Sequence, residues 1–427
     1  MTFDTTTGGT VPAQAAGLAP VALKDRVVTL DVLRGFAVLG ILAMNAAAFA
    51  WPFDLAMSPD LAPYYTGGMM EPADRAATLV NDVFFSDKMR TLFSMLFGVS
   101  IFLVGGERSD RARGALLQRR LLWLGLIGLI HGLVFWFGDI LLLYALCGLI
   151  MLLCRSWSAK KLLWVGGGIT LFFAVVQAGG SIGIAALPPE FAAKFSGGGG
   201  GPFGATPETI AQSIAAYKDG LFGGFISNAK AWLMAALFVL PIGPFFVVPL
   251  MMIGLGLYKT GFWAGKSPVW VYGLFIGLTA VTLSLAGLFE SQELAVPRAQ
   301  NPSRGMADAM AAFAPLVTLG YASVLVLLTT RGAAMVTKVF APVGRMAFTN
   351  YLTQTLIMTS LFYMPWGPRW FGEVGPAGLW PIVVAIWVLQ LIWSPLWLKR
   401  FEMGPLEWVW RCLTYGRRMP FRKVAAA

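Results

Sequence analysis

The sequence predicts an all-α, polytopic helical membrane protein with about ten transmembrane helices and both termini in the cytoplasm. Apolar residues make up 57% of the chain and charged residues only 12%, with a mean hydropathy of +0.70, whereas soluble domains carry roughly 25% charged residues. Uncharged runs such as 232–258, 267–289 and 379–398 exceed the roughly 18 residues that mark a transmembrane helix. The 49 glycines and 16 tryptophans are also typical of membrane helices and their interfaces.

Apolar windows between charged or Gly/Pro-rich breaks give the predicted spans. In order they are 31–51, 91–106, 121–137, 139–155, 162–187, 231–257, 268–289, 313–330, 346–364 and 379–398. With the N-terminus inside, most of the 32 Lys and Arg residues fall on the cytoplasmic side, as the positive-inside rule requires. This distribution predicts that both termini are cytoplasmic.

The same windows divide the chain into five regions. They are a disordered tail (1–24), an N-terminal membrane bundle of five spans (25–187), an outer loop (188–230), a C-terminal bundle of five spans (231–398) and an amphipathic cytoplasmic tail (399–427). The outer loop contains "SGGGGGPFG", a flexible link, followed by a predicted interfacial helix.

Composition argues against several functional classes. The net charge of +11 needs no nucleic-acid partner, because basic residues near helix ends set membrane orientation. The three cysteines have neither metal-ligand nor disulfide spacing, so we expect no bound metal and no bound cofactor. The glycine run lacks the Lys-Ser/Thr ending of a nucleotide-binding loop.

The one histidine of the chain lies in the apolar run "LIGLIHGLVFWFGDILLLYALCGLI", residues 126–150. An ionisable group in a membrane segment is a functional candidate by default. His131 and Asn45 each lie six residues before the outer end of their spans, so both are expected about 9 Å below the outer surface. Either they meet in an outer pocket, or each bonds a neighbouring helix without any role in chemistry.

Asp139 follows Gly138 at a predicted outer turn. It either caps the next helix or orients His131 and stabilises the protonated imidazole. The two roles are compatible, since one carboxylate oxygen can cap while the other faces the ring.

Charged residues at both ends of the membrane are candidate binding groups. At the cytoplasmic end, Asp31 and Arg34 share a helix face; they either pair with each other or, with Arg119 and Arg120, hold a phosphorylated ligand. On the outer side, Asp87, Lys88 and Arg90 either line an outer mouth or form a solvated ion-pair network.

The motif "GRMAFTNYLTQTL" adds two amide side chains. Asn350 and Gln354 are four residues apart and therefore share one helix face, where we predict that they contribute to substrate binding.

Five phrases, in order, resemble the YeiB-like family of bacterial inner-membrane proteins. They are "LDVLRGFAVLGILAMN", "TLFSMLFG", "LIHGLVFWFGDILLLYALCG", "GRMAFTNYLTQT" and "GPLEWVWRCLTYG", and the resemblance covers roughly 25–155 and 240–418. The C-terminal region of that family is a domain of unknown function (four-one-eight). The family is distantly similar to the transmembrane acyltransferases, which pass an acyl group from cytosolic acyl-CoA across the membrane.

The resemblance implies a reaction class but also shows a departure. In the bacterial acyltransferases a basic residue precedes the catalytic histidine in the first span; here Arg34 takes the first place and Asn45, not His, stands eleven positions later. An amide cannot remove a proton, so His131 is the candidate replacement as base. Asn45 would then polarise the acyl carbonyl or orient the acceptor.

The resemblance thus implies an inner-membrane, acyl-CoA-dependent acyltransferase whose small-molecule or glycan acceptor arrives from outside, and the depth argument proposes its residues. His131, Asp139 and Asn45 are the predicted catalytic residues, and membrane lipid is the expected surrounding partner. A transporter or flippase, and a non-catalytic binding or sensor protein, are the alternatives. The oligomeric state and the acceptor are left undetermined.

Overall fold

The computed structural model describes residues 27–56, 71–188, 191, 206–295 and 305–423. Its α-helices are α1 (Val28–Ala50), α2 (Phe53–Ala56), α3 (Pro72–Phe84), α4 (Lys88–Gly105), α5 (Arg111–Ile130), α6 (Leu141–Cys154), α7 (Ala159–Ala185), α8 (Pro207–Lys218), α9 (Gly223–Lys259), α10 (Val269–Glu293), α11 (Met306–Ala311), α12 (Ala314–Thr330), α13 (Ala334–Arg345), α14 (Ala347–Phe362), α15 (Pro376–Arg400) and α16 (Pro405–Tyr415). A single π-helical turn, His131–Phe135, continues α5. The predicted tail 1–24 and the glycine run lie outside the described residues.

The predicted all-α polytopic membrane fold is confirmed. Each of the ten predicted windows contains a helix, but within the described ranges seven helices are long and apolar enough to cross a membrane, or eight if the α12–α13 pair, bent by 118°, counts as one span. The helices in windows 139–155 and 346–364 have only 14 and 16 residues. Short helices are tolerated at membrane depth because protein, not lipid, surrounds their ends. The five-region division and the cytoplasmic termini stay predictions.

The second span begins earlier than predicted. α3 and α4 join into one 34-residue apolar segment, Pro72–Gly105, interrupted by a short break at 85–87. An added Cβ on Gly40, at the middle of α1, would lie 2.4 Å from the Met89 sulfur and 3.4 Å from the Phe85 ring. The break therefore lies near the mid-depth of the bundle.

Glycine pairs bring the central helices together. A Cβ on Gly344 of α13 would lie 1.8 Å from the Asp31 carbonyl oxygen of α1, and one on Gly35 would lie 2.0 Å from the Phe340 carbonyl oxygen. Gly98 and Gly254 make the same kind of crossing between α4 and α9. Membrane helices associate through such small residues, since lipid is as apolar as the side chains it would replace.

Candidate functional site

The backbone places His131 at an irregular turn. α5 widens to a π-turn, in which the Trp136 N–H donates to the His131 carbonyl at 3.0 Å. Asn228 donates to the carbonyls of Gly132 at 2.9 Å and Leu133 at 3.2 Å. Turns of this kind recur at functional sites, and here the amide of Asn228 satisfies carbonyls that face away from the regular helix.

Glycine is required beside the histidine. A Cβ on Gly132 would lie 1.9 Å from the Trp232 indole nitrogen, so a larger residue would push α9 away from the π-turn. Close packing by Trp232 holds this turn, and with it the imidazole, in one position.

The predicted contact between His131 and Asp139 is present. Nδ1 of His131 lies 2.8 Å from Asp139 Oδ1, while Asp139 Oδ2 accepts from the Leu142 N–H at 3.0 Å. One carboxylate oxygen therefore faces the imidazole as the other caps α6. His131 is 3% exposed and the Asp139 side chain is 0% exposed, so neither is in contact with bulk water.

The second imidazole nitrogen has a partner that the sequence did not indicate. His131 Nε2 lies 3.0 Å from the Thr355 hydroxyl oxygen of α14, and the Tyr351 ring, one turn earlier, lies 5.5 Å from the imidazole centroid. Thr355 belongs to the quoted motif "TNYLTQT", but no sequence signal separates it from the neighbouring threonines. Only the packing of α14 against the π-turn brings it to the histidine.

A cavity of about 290 Å³ begins below this group. Its basic end is lined by Arg34, Arg113, Arg120, Arg345 and Arg411, and its deep end by Ile41, Ile140, Leu141, Tyr144 and Tyr351. Between them the wall is mostly apolar, with Phe93, Leu96, Phe97, Leu117 and Leu121. Among the described residues, Asp31 and Glu407 are the carboxylates that line it, so the basic end is net positive.

The deep end reaches the neighbours of the histidine. Ile140 and Leu141 directly follow Asp139, and Tyr351 lies one turn below Thr355. His131 itself is beyond the cavity wall, and Arg120 precedes it on α5 by about 16 Å of helical rise. The cavity therefore connects a cationic end with the layer just beneath the His131–Asp139 pair.

Helix α16 closes the basic end. The Trp410 indole N–H donates to the Arg120 carbonyl at 3.0 Å, and the Arg120 guanidinium lies 3.6 Å above the Trp410 ring. Glu407 accepts from the N–H groups of Phe348 at 2.8 Å and Thr349 at 3.1 Å and from the Thr349 hydroxyl. A carboxylate at the start of α14 stabilises that helix end.

Burial raises the pKa of the Glu407 carboxyl above its ordinary value of 4.5, although the hydrogen bonds from Thr349 and Phe348 oppose the rise. A raised folded-state pKa means that the stabilisation from Glu407 is complete below pH about 4.5 and is lost as the pH rises through the folded pKa. We expect the melting temperature of the wild type minus that of Glu407→Gln to fall as the pH rises from 4 to 7. Subtracting the two melting temperatures cancels the pH dependence of all groups that both proteins share. If the wild type instead gains stability over Glu407→Gln as the pH rises, the pKa of Glu407 is not raised in the folded protein.

The predicted cytoplasmic residues separate into two groups. Arg34 donates to Asp31 at 3.3 Å and to the Ser100 hydroxyl at 2.8 Å, and both Asp31 and Arg34 line the cavity with Arg120. Arg119 turns away: it is exposed, donates to the Thr414 carbonyl at 3.5 Å and is not among the described residues that line the cavity.

Among the described residues, the imidazole nitrogens of His131 bond to Asp139 and Thr355 and not to Asn45. Both ring nitrogens of His131 already face other partners, Asp139 and Thr355, and Asn45 is half-buried on α1. Within the described part of the chain it does not line the cavity. The expected meeting of Asn45 and His131 in one outer pocket stays a prediction, because equal depth does not fix which helix faces turn toward each other.

The predicted outer cluster lies at the α3–α4 break instead. Lys88 is 5% exposed and donates to the Asp82 carbonyl at 2.6 Å, while Thr318 of α12 donates to the Lys88 carbonyl at 2.9 Å. Arg90 donates to Asp87 at 2.5 Å. The Arg90–Asp87 pair is about half-exposed, as the ion-pair alternative expects, and the interpretation as an outer mouth stays a prediction.

Asn350 and Gln354 join helices rather than facing the cavity. Asn350 donates to the Val343 carbonyl and the Ser394 hydroxyl, each at 3.1 Å, and its oxygen accepts from Trp393 at 2.8 Å. Gln354 donates to the Val38 carbonyl at 3.1 Å and to Gln390 at 2.9 Å. Neither is among the described lining residues, so the structure gives both a packing role.

Known proteins resemble the chain over nearly its whole length. Residues 257–417 match the family model described as protein of unknown function (DUF418). The chain is 30% identical over 425 residues to the uncharacterized protein YxaH of Bacillus subtilis (strain 168), covering 96% of this chain and 99% of that protein. It is also 30% identical over 425 residues to the uncharacterized protein YeiB of Escherichia coli (strain K12), covering 91% and 96%. The chain therefore belongs to the YeiB-like family of proteins that carry the DUF418 domain.

Proposed function

We propose that this protein is a membrane-embedded acyltransferase of the bacterial inner membrane that uses cytosolic acyl-CoA as donor and an acceptor reached from the outer side. The observation that carries the proposal is the cavity, which runs from five arginines to the layer beneath His131 and Asp139. A long ligand with phosphates at one end and a reactive carbonyl at the other matches that distribution of charge.

The basic end suits the phosphate groups of the donor. Arginine binds phosphate through paired N–H donors, and Arg120 is held by Trp410 while Arg34 is held by Ser100 and Asp31. Because these side chains are already oriented, less conformational entropy is lost when they bind a ligand. If both termini are cytoplasmic, as charge predicts, this end faces the compartment that contains CoA.

The deep end suits the acyl part. Its apolar wall would bury an acyl chain or the apolar part of the pantetheine arm, which is favourable by about 25 cal/mol per Å². The His131–Asp139 pair would take a proton from the acceptor, and the buried Asp139 would stabilise the imidazolium that forms. The identities of the acyl chain and the acceptor are outside this proposal.

Two neighbouring arginines test the donor site. Arg120→Gln is expected to weaken acetyl-CoA binding about 10-fold or more, the effect of losing a hydrogen bond to a charged group. Arg119→Gln is the matched control, because it removes the same charge from the adjacent residue outside the cavity. Binding is measured by calorimetry on the purified protein in detergent, with palmitoyl-CoA and free CoA as further probes. Equal weakening of binding by both substitutions would indicate a general charge effect. If none of the three probes binds, acyl-CoA is not the donor of this protein.

A transporter is the second candidate, favoured by the break between α3 and α4. Transporters place discontinuous helices and buried charges near the bilayer midplane, and Lys88 lies against the last turn of α3 at that depth. In proteoliposomes, a proton flux reported by an entrapped dye, lost in Lys88→Met and kept in the surface variant Lys218→Met, would support transport. If the protein releases CoA from acyl-CoA and carries no proton flux, the transporter is excluded and the acyltransferase is supported.

A further inference from the structure

One chain of hydrogen bonds joins three side chains from different elements. It runs from Asp139 Oδ1 to His131 Nδ1 at 2.8 Å, and from His131 Nε2 to the Thr355 hydroxyl at 3.0 Å. An ionised carboxylate only accepts, and Asp139 also accepts from the Leu142 N–H. With Asp139 ionised and the imidazole neutral, Nδ1 carries the ring proton, Nε2 accepts, and the Thr355 hydroxyl donates to it.

The Thr355 hydroxyl lies closer to the imidazole than to the carbonyl of its own helix. Such hydroxyls commonly donate to the carbonyl four residues earlier, as Thr353 does to Thr349 and Thr414 does to Trp410, each at 2.7 Å. The corresponding distance from Thr355 to the Tyr351 carbonyl is 3.5 Å. The imidazole nitrogen, at 3.0 Å, is therefore the closer partner of the hydroxyl, and the contact to its own helix is the longer one.

This arrangement has the parts of an activated nucleophile: a hydroxyl, a base that accepts its proton, and a carboxylate that holds the base. We propose that Thr355 attacks the acyl donor and carries the acyl group as an ester between the two half-reactions. The inference rests on the proposed acyltransferase function and gives it a two-step mechanism.

The first half-reaction transfers the acyl group to the protein. The Thr355 oxygen attacks the thioester carbonyl while its proton passes to His131 Nε2. The C–S bond then breaks, the new C–O bond remains, and the proton on Nε2 goes to the departing sulfur, so that CoA leaves as the free thiol.

The second half-reaction regenerates the protein. The acceptor hydroxyl gives its proton to Nε2 and attacks the ester carbonyl. The bond from that carbonyl to the Thr355 oxygen breaks, and the proton returns from Nε2 to that oxygen. Asp139 keeps its hydrogen bond to Nδ1 throughout and stabilises the imidazolium present in each step.

The cavity approaches this nucleophile without reaching it. Tyr351 lines the deep end, and Thr355 follows four residues later, about 6 Å further along α14. Thr355 is 1% exposed, so water is excluded from the position that would hold the ester. Movement of the Tyr351 side chain would let the thioester pass along the turn of α14 that separates the cavity from Thr355.

The test traps the intermediate. The full-length protein in detergent is mixed with radiolabelled acetyl-CoA, quenched in acid and mapped by peptide mass spectrometry. We expect the label on Thr355 as an ester that resists neutral hydroxylamine. In Thr355→Cys the label should become a thioester that neutral hydroxylamine removes, a change that a merely structural residue would not cause. Thr355→Ser should keep both label and turnover.

Thr359 provides the matched control, since it is equally buried one turn further along α14. Thr355→Val is expected to lose the label and at least about 100-fold of CoA release, whereas Thr359→Val retains both. If Thr355→Val releases CoA at the rate of the wild type, or if the label is found on His131, Thr355 is not the nucleophile. The proposed acyltransferase function would survive either result. A wild type that neither binds acetyl-CoA nor releases CoA would refute the proposed function itself.

Discussion

Asp139→Asn is expected to lower CoA release by about 10³- to 10⁴-fold while the protein stays folded. An asparagine oxygen can still accept from the Leu142 N–H and cap α6, as Asp139 does now. Its amide group would then donate to His131 Nδ1 and leave the proton on Nε2, where the ring can no longer accept from Thr355. The substitution therefore removes the base and keeps the packing.

Release of free CoA from acetyl-CoA is measured with a thiol reagent, and folding is followed by the melting temperature in detergent. His131→Ala should be at least as inactive, but it leaves the buried Asp139 carboxylate without its imidazole partner, which costs several kcal/mol. Asp139→Asn is thus the cleaner variant. If it releases CoA at the rate of the wild type, the pair has no role in proton transfer.

Gly344→Ala is expected to destabilise the fold by about 3 kcal/mol or more. The new Cβ would lie 1.8 Å from the Asp31 carbonyl oxygen and 2.7 Å from the Gly35 nitrogen, and both obstacles are backbone atoms that cannot rotate away. α1 and α13 would have to separate, which would also disturb the cavity end that Gly344, Asp31 and Arg34 line.

Gly277→Ala is the control for the effect of alanine in a membrane helix. Gly277 lies within α10, and an added Cβ there would meet no described atom within 4 Å, so we expect little change or a slight gain from the higher helix propensity of alanine. Unfolding is followed by thermal melts in the same detergent. A Gly344→Ala protein as stable as Gly277→Ala would mean that the α1–α13 crossing is not close in the folded protein.

Local sequence determined part of the site. The His131–Asp139 contact spans eight residues across one tight turn, so the geometry of a short connection was enough to predict it and the cap on α6. The sequence was also enough to predict that the chain is a helical membrane protein. Hydropathy is summed over a window of residues and does not depend on which helices are neighbours.

The tertiary structure decided the rest. Thr355 reaches His131 across 224 residues, and Arg120 lines the cavity while the adjacent Arg119 does not. In water, an apolar stripe shows which helix face turns inward. In lipid both faces are apolar, so the choice falls to close backbone contacts such as Gly35 and Gly344. Depth along a helix can therefore be predicted from the sequence, whereas the direction that each side chain faces depends on the packed bundle.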